Sequence, residues 1–378
     1  MNNWAVKYRP TNFREVKGQP EKALLWNMLL SGEDLPPALL LAGPPGTGKT
    51  SLGRIIAKAI NCDSFISVKD CCGVCSSCVA MSSNTSPLVI EYDAASNSGA
   101  DDMRRVRELS SIISPSGKYV FIIDEAHSLS HQAWNVLLKT MEEPISNCLF
   151  ILITSEPSKV PSKIRTRTIR FDLRRVPPKD LFALLTDVVE KESVVEAPLD
   201  KIIDMSDGSP REALKLLEQF HLNGLPEFSV RLLTIRYLAT LVKGDLALSL
   251  SALSTLWDAG SEFSTIISEL SWVLEKIVFI QNGIPVEISS GTTKKLNTLS
   301  THLDSEQLGV VLEKTARLSF SVGRSGSKPD LIFLTTEIIR CLHGGTSIHA
   351  PSQAKESSEP EIISSAEDIL EGATFDGF

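Results

Sequence analysis

The sequence predicts an α/β domain built on a parallel sheet, followed by all-α regions. Three observations carry this: five short apolar runs alternate with helix-compatible segments up to residue 172, a glycine-rich phosphate-loop pattern directly follows the first run, and strand signals then cease.

The runs are Ala38–Ala42, Leu88–Tyr92, Tyr119–Ile123, Cys148–Thr154 and Thr168–Asp172. Continuous apolar runs of this length, instead of alternating ones, are what strands buried on both faces require. Between the second and third lies the polar loop Asp93–Gly99, whose Ser and Asn residues suit the start of a helix near Asp101. Beyond Asp172, Lys179–Glu192, Ala197–Ser206 and Arg211–Phe220 read as short helices separated by Pro, Gly and Ser. From about Glu227 to His343 the pattern stays helical, as in Leu248–Trp257 and Phe263–Phe279, with breaks at Gly283-Ile284-Pro285 and Gly323–Pro329. The expected organisation is therefore residues 1–172, 173–226, 227–343 and a tail, 344–378, rich in Ser, Glu and Pro. The tail reads as a solvated terminus, or as a short acidic-hydrophobic docking peptide at Glu367–Phe378.

With 378 residues, 42% hydrophobic and 22% charged, the chain has the composition of a globular protein able to bury a core. No run of about 18 uncharged apolar residues occurs and the N-terminus lacks signal-peptide order, so a cytoplasmic protein with no membrane partner is expected. The formal charge of -8 argues against phosphate-backbone binding, but residues 351–378 alone hold seven acids and one lysine. The remainder is close to neutral, which permits a nucleic-acid partner.

Gly43-Pro44-Pro45-Gly46-Thr47-Gly48-Lys49-Thr50, continued by Ser51, matches the phosphate-loop pattern between a strand and a helix. Glycines let the loop turn its N–H groups toward phosphates, the helix N-terminus adds positive potential, Lys49 suits the β/γ oxygens and Thr50 suits Mg²⁺. ATP and Mg²⁺ are the expected ligands. Asp124-Glu125 follows the third run, where adjacent carboxylates can divide two tasks: Asp124 holds Mg²⁺ and Glu125 polarises the attacking water. His127, two residues on, reads as a structural neighbour. The fourth run ends at Thr154, whose hydroxyl suits a γ-phosphate contact. Arg211 stands in the first turn of a helix, an unfavourable place by helix dipole unless an anion compensates.

Four thiols crowd Cys71 to Cys78, with Cys62 upstream. Cys72, Cys75 and Cys78 keep C-x₂-C spacing, and with Cys62 they form a four-thiolate set suited to structural Zn²⁺, against a reading as loose thiols. Cys71 is the spare, and Cys148 and Cys341 read as core residues.

In this order the motifs resemble the ATPase subunits of bacterial clamp loaders, within the AAA+ class, over at least residues 4–215. The resemblance rests on Lys7-Tyr8-Arg9-Pro10, Phe13, Val16-Lys17-Gly18-Gln19, the cysteine insertion, Glu91-Tyr92-Asp93-Ala94-Ala95-Ser96, Leu137–Pro144 and Gly208–Leu214. It implies an AAA+ domain with a zinc insertion, a helical lid and a helical collar for oligomerisation. It makes Tyr8, Arg9, Pro10 and Val16 part of the segment packing around adenine, Thr154 the sensor 1 residue and Arg211 the sensor 2 arginine. It places a trans-acting arginine finger at Arg167, within Thr166-Arg167-Thr168 where the family has Ser-Arg-Cys, with Arg165 as competitor. The implied partners are other loader subunits in a hetero-oligomeric ring, a sliding clamp and primer–template DNA. Arg104, Arg105 and Arg107 are candidates for DNA backbone contact, or simply a solvated helix face. The chain is shorter than the long family form, so that form's polymerase and helicase contacts are expected to be absent.

Three rivals remain in view. A DEAH-box helicase would need a second sheet domain where the chain reads helical. A branch-migration motor does not suit the cysteine cluster or the opening segment. A non-hydrolysing stator subunit would not need intact Lys49, Thr50, Asp124 and Glu125.

Overall fold

The computed structural model describes residues 3–31, 36–112, 117–142, 148–225, 229–286, 288, 290–322 and 326–343. The expected tail and its docking peptide lie outside the described residues, as do Glu143 and Pro144. The chain divides into two compact units, Met1–Gly224 and Leu225–Phe378.

The first unit holds five parallel strands: β1 (Ala38–Ala42), β2 (Val89–Asp93), β3 (Tyr119–Asp124), β4 (Cys148–Thr154) and β5 (Ile169–Asp172). Their spatial order is β2-β3-β4-β1-β5. Every residue of β1 and β4 is buried, because helices cover both faces of the sheet, and this is why those strands are continuous apolar runs. On one face Leu39, Leu41, Ile122, Ile151 and Ile153 pack with Leu52, Ile55 and Ile56 of the helix after β1. On the other, Leu40, Phe121, Ile123, Phe150 and Leu152 pack with Met103, Val106, Trp134 and Leu137.

The helices of this unit are α1 (Trp4–Lys7), α2 (Glu21–Leu30), α3 (Lys49–Ile60), α4 (Phe65–Val68), α5 (Ser76–Ser82), α6 (Ala100–Ser110), α7 (His131–Glu142) and α8 (Ser162–Arg165). After β5 come α9 (Pro178–Glu192), α10 (Leu199–Ser206) and α11 (Pro210–Asn223), which pack on one another and fall in the same unit as the sheet. The cysteine-bearing insertion, expected as a loop, contains the two short helices α4 and α5. Cys75 caps the second, its sulfur accepting the N–H of Cys78, an N-cap role that thiol spacing does not advertise.

The second unit is helical throughout its described residues: α12 (Val230–Lys243), α13 (Leu246–Asp258), α14 (Phe263–Gln281), α15 (Ser290–His302), α16 (Ser305–Val322) and α17 (Lys328–His343). They share one core of Leu, Ile and Val around the buried Tyr237, whose hydroxyl pairs with Thr335 at 2.7 Å. Pro329, read as part of a break, sits in the first turn of α17, where its missing N–H costs nothing.

Candidate functional site

The carboxyl ends of β1, β3 and β4 lie side by side, Ala42 in register with Thr154 and Ile123 with Leu152. Open parallel sheets present their ligand crevices at this edge. The loop after β1 turns through three left-handed glycines, Gly43 (φ 146°), Gly46 (φ 74°) and Gly48 (φ 99°). A Cβ on Gly43 would stand 2.2 Å from the Leu173 carbonyl oxygen, and one on Gly46 would stand 2.1 Å from Ser209 Oγ. Gly43 is thus fixed by conformation and by a backbone clash, while a side chain at Gly46 would be strained by its φ and would displace the Ser209 hydroxyl.

The loop borders a cavity of about 690 Å³, lined by its own residues Pro45 to Ser51 and by Tyr8, Arg9, Pro10, Val16, Asp124, Glu125 and Arg211. The cavity therefore gathers most of the residues singled out in the sequence as nucleotide-binding. Lys49 is nearly buried, and burial pulls its ammonium pKa down while Glu125 and Asp124 push it back up. Its Nζ donates to the carbonyls of Gly43 and Pro44, both at 2.9 Å. Thr50 Oγ1 donates to Asp124 Oδ2 at 2.7 Å, so the two expected Mg²⁺ ligands are already in contact. Asp124 Oδ1 accepts the N–H of Glu125 at 2.9 Å, and Glu125 itself is held left-handed at φ 48°. A non-glycine residue in that conformation is strained and persists only where its surroundings fix it.

Arg9 joins the cationic rim. Its guanidinium pKa is lowered, first by burial and then by Arg54, with Arg211 adding to the effect. Arg54 is paired with Glu91 at 2.7 Å, so of these three Arg9 and Arg211 are the cations left to face an anionic ligand in the cavity. Arg211 is placed by α11, whose N-cap Ser209 accepts the Glu212 N–H at 3.3 Å and whose first turn faces the cavity with Pro210, Arg211 and Leu214.

Thr154 is placed differently from the others. It is wholly buried and outside the cavity wall, its hydroxyl 3.1 Å from His127 Nδ1 and accepting the Glu156 N–H at 3.0 Å. His127 in turn lies 3.4 Å from Glu125 Oε2 and 3.5 Å from Glu156 Oε1. Arg167 stands apart from the cavity, with Nη2 2.6 Å from Glu142 Oε1 and Nη1 donating to the Lys163 carbonyl. Arg165, at the end of α8, is exposed. Arg104 pairs with Asp101 on the exposed side of α6, where Arg104, Arg107 and Lys139 border a shallow groove.

Two positioning roles lay beyond the sequence reading. Gln19 is buried, donating from Nε2 to the carbonyls of Thr47 (3.2 Å) and Arg174 (2.6 Å) and accepting the Arg174 N–H at 3.0 Å. It pins the phosphate loop to the opening segment and to the chain leaving β5. Glu192, at the end of α9, holds both Lys7 and Tyr8. Burial, then the Glu192 bond, raises the Tyr8 pKa. Neither role follows from spacing, since each joins segments more than 150 residues apart.

The second candidate site is the thiol cluster. The sulfurs of Cys62, Cys72, Cys75 and Cys78 all lie within 4.8 Å of one another. Backbone N–H groups aim at them: Cys72 N at Cys62 Sγ, Cys75 N at Cys72 Sγ and Cys78 N at Cys75 Sγ, each at 3.4 Å. The N–H groups of Cys75 and Val74 hold the Cys72 thiol down at about 6, whereas burial raises Cys62 and Cys78. Four converging sulfurs with N–H···S support are compatible with a closed tetrahedral metal site. Cys71 stays outside it, donating to the Ile55 carbonyl, with burial pushing its thiol up to about 12.

Residues 18–177 match the family profile described as "DNA polymerase III, delta subunit". The chain is 41% identical over 218 residues to the DNA polymerase III subunit gamma/tau of Mycobacterium tuberculosis, covering 56% of this chain and 38% of that protein. It is 40% identical over 215 residues to the DNA polymerase III subunit tau of Bacillus subtilis, again covering 56% and 38%. It is 31% identical over 292 residues to the DNA polymerase III subunit gamma of Buchnera aphidicola, covering 73% of this chain and 78% of that protein. The chain thus spans 38% of the length of the first two of these relatives. Among solved structures, the Thermotoga maritima RuvB Holliday junction branch migration motor aligns at 22% identity and a TM-score of 0.42, covering 84% of this chain and 91% of that one.

Proposed function

The chain belongs to the gamma/tau family of DNA polymerase III subunits, and on that premise we propose that it is an AAA+ clamp-loader ATPase. It would use ATP binding and hydrolysis to open a sliding clamp and place it on primer–template DNA. The observation that carries this reading is the convergence of Lys49, Thr50, Asp124 and Glu125 on one cavity at the carboxyl edge of the sheet, with Thr50 and Asp124 already 2.7 Å apart.

In this reading the N–H groups of Gly46 to Thr50 cradle the phosphates, and Lys49 exchanges the Gly43 and Pro44 carbonyls for phosphate oxygens. Thr50 and Asp124 would hold Mg²⁺, which supplies charge neutralisation at the β/γ oxygens. Glu125 orients the attacking water and accepts its proton. Arg211 closes on the nucleotide from the α9–α11 helices, acting as a lid, and Tyr8, Arg9, Pro10 and Val16 wall the base. Thr154 acts from behind the wall, through His127 and Glu125. Arg167 serves the site of a neighbouring subunit, which accounts for its distance from its own cavity, and the second unit forms the collar of a hetero-oligomeric ring. The four cysteines would hold a structural Zn²⁺, since a closed thiolate set leaves no position for a reactant.

Measuring ATP turnover for the purified chain and for Lys49→Ala tests the reading. Turnover lost in the variant supports it; equal background rates in both would overturn hydrolysis and leave a stator-like binding subunit.

A further inference from the structure

The wall of the nucleotide cavity continues past Pro10 through Thr11, Arg14, Glu15, Val16 and Lys17. This stretch has little regular structure of its own, so something else must hold it. The support comes from residues 65–71, which lead into the cysteine cluster. Asp70 is almost wholly buried, and its carboxylate accepts three backbone N–H bonds: Phe13 (3.1 Å), Arg14 (3.2 Å) and its own neighbour Cys71 (2.8 Å).

A buried carboxylate is costly unless its oxygens are satisfied, and here two of the three donors lie more than fifty residues away in sequence. Around this bond set, Arg14 Nη2 donates to the Val68 carbonyl (3.3 Å), and Trp26 Nε1 donates to the Lys69 carbonyl (2.8 Å). The Phe13 and Phe65 rings pack 6.3 Å apart. Lys69 is left-handed at φ 57°, a strained turn that these contacts hold. Two residues beyond Asp70, the Cys72 N–H is fixed on Cys62 Sγ.

We propose that Asp70 is a positioning residue for the nucleotide, coupling the four-cysteine module to the cavity wall, so that metal occupancy and nucleotide affinity rise together. The proposal rests on the nucleotide and metal readings above. It assigns the insertion a role in setting nucleotide affinity, beyond stabilising its own fold. The coupling is reciprocal by linkage: bound nucleotide slows metal loss by the same factor by which metal tightens nucleotide.

The test uses the full chain with zinc content verified, a fluorescent N-methylanthraniloyl-ATP as probe, and a chromogenic chelator to follow metal release. In the unaltered protein, chelation is expected to weaken probe binding about tenfold, and saturating ATP to slow metal release correspondingly. Asp70→Asn keeps the shape but loses the charge that three N–H groups share. It is expected to bind the probe about tenfold more weakly with its zinc retained, to raise KM with kcat nearly unchanged, and to lose the ATP effect on metal release. Probe affinity indifferent to chelation, while circular dichroism shows the fold retained, would overturn the coupling without needing any variant. Lys49→Ala separates the two levels: if the unaltered chain binds the probe no better than this variant, the nucleotide reading itself fails, and the coupling with it.

Discussion

The nucleotide cavity and the cysteine cluster are both built by backbone turns that aim polar atoms at one place, yet they stand at different stages of readiness. In the cluster the four sulfurs already converge within 4.8 Å, with N–H groups in support. In the cavity the key donors are turned inward, Lys49 onto its own loop carbonyls and Thr50 onto Asp124. In the proposed reading the cluster has all four donors within the chain and would need only to release protons. The cavity, in the same reading, would exchange internal partners for ligand, and its candidate finger, Arg167, sits elsewhere, paired with Glu142. A closed site suits structure; a site that would rearrange and be completed by a neighbouring subunit, as proposed, suits a regulated reaction.

The largest effect expected is on completion from outside. Arg167→Ala should leave probe binding intact while lowering DNA-stimulated turnover of the reconstituted loader by on the order of 10³. Stimulation retained in Arg167→Ala and lost in Arg165→Ala would move the finger to Arg165. Next comes Glu125→Gln, expected to cut turnover by roughly 10² to 10³ with ATP affinity unchanged, as measured in single-turnover reactions. A parallel fall in affinity would mean that Glu125 supports the loop and not the water.

Cys78→Ser addresses the closed site. It should lose zinc by metal analysis and lower the denaturant midpoint of the first unit without changing the slope. Metal retention should also fall with pH, because Cys62 and Cys78 have raised pKa values and must give up their protons to bind. Absence of thiolate-to-metal charge-transfer absorption on adding Co²⁺ at neutral pH would contradict a thiolate site. Smallest, Tyr237→Phe in the second unit should cost about 1 kcal/mol through its bond to Thr335 and touch neither site. Burial raises the Tyr237 pKa, so its contribution is complete below the ordinary tyrosine range and is lost as pH rises beyond it. Melting curves of both proteins across that range would show the difference narrowing as the hydroxyl ionises in the unfolded chain.

What was legible follows from the range of the interactions. The phosphate loop, the Asp124-Glu125 pair and the C-x₂-C spacings are local patterns, and the structure brings each set together where chain order places it. The strands were visible because β1 and β4 are buried on both faces and so carry no polar interruption. Gln19, Asp70 and Glu192 were not legible as positioning residues, because each acts on partners brought near only by the fold. His127 was read as a structural neighbour, and only the fold shows which neighbours: Thr154 and Glu125 lie 3.1 and 3.4 Å from its Nδ1. The second unit offered only helical periodicity, with buried hydroxyls such as those of Thr234 and Thr315 tied to carbonyls of their own helices.

The most direct measurement is steady-state ATP turnover by the chain assembled with its loader partners, with and without sliding clamp and primed DNA. The account predicts that clamp and primed DNA together stimulate turnover strongly, and that Lys49→Ala abolishes it. Turnover that depends on Lys49 but ignores both clamp and DNA would contradict clamp loading and leave an ATPase with another task.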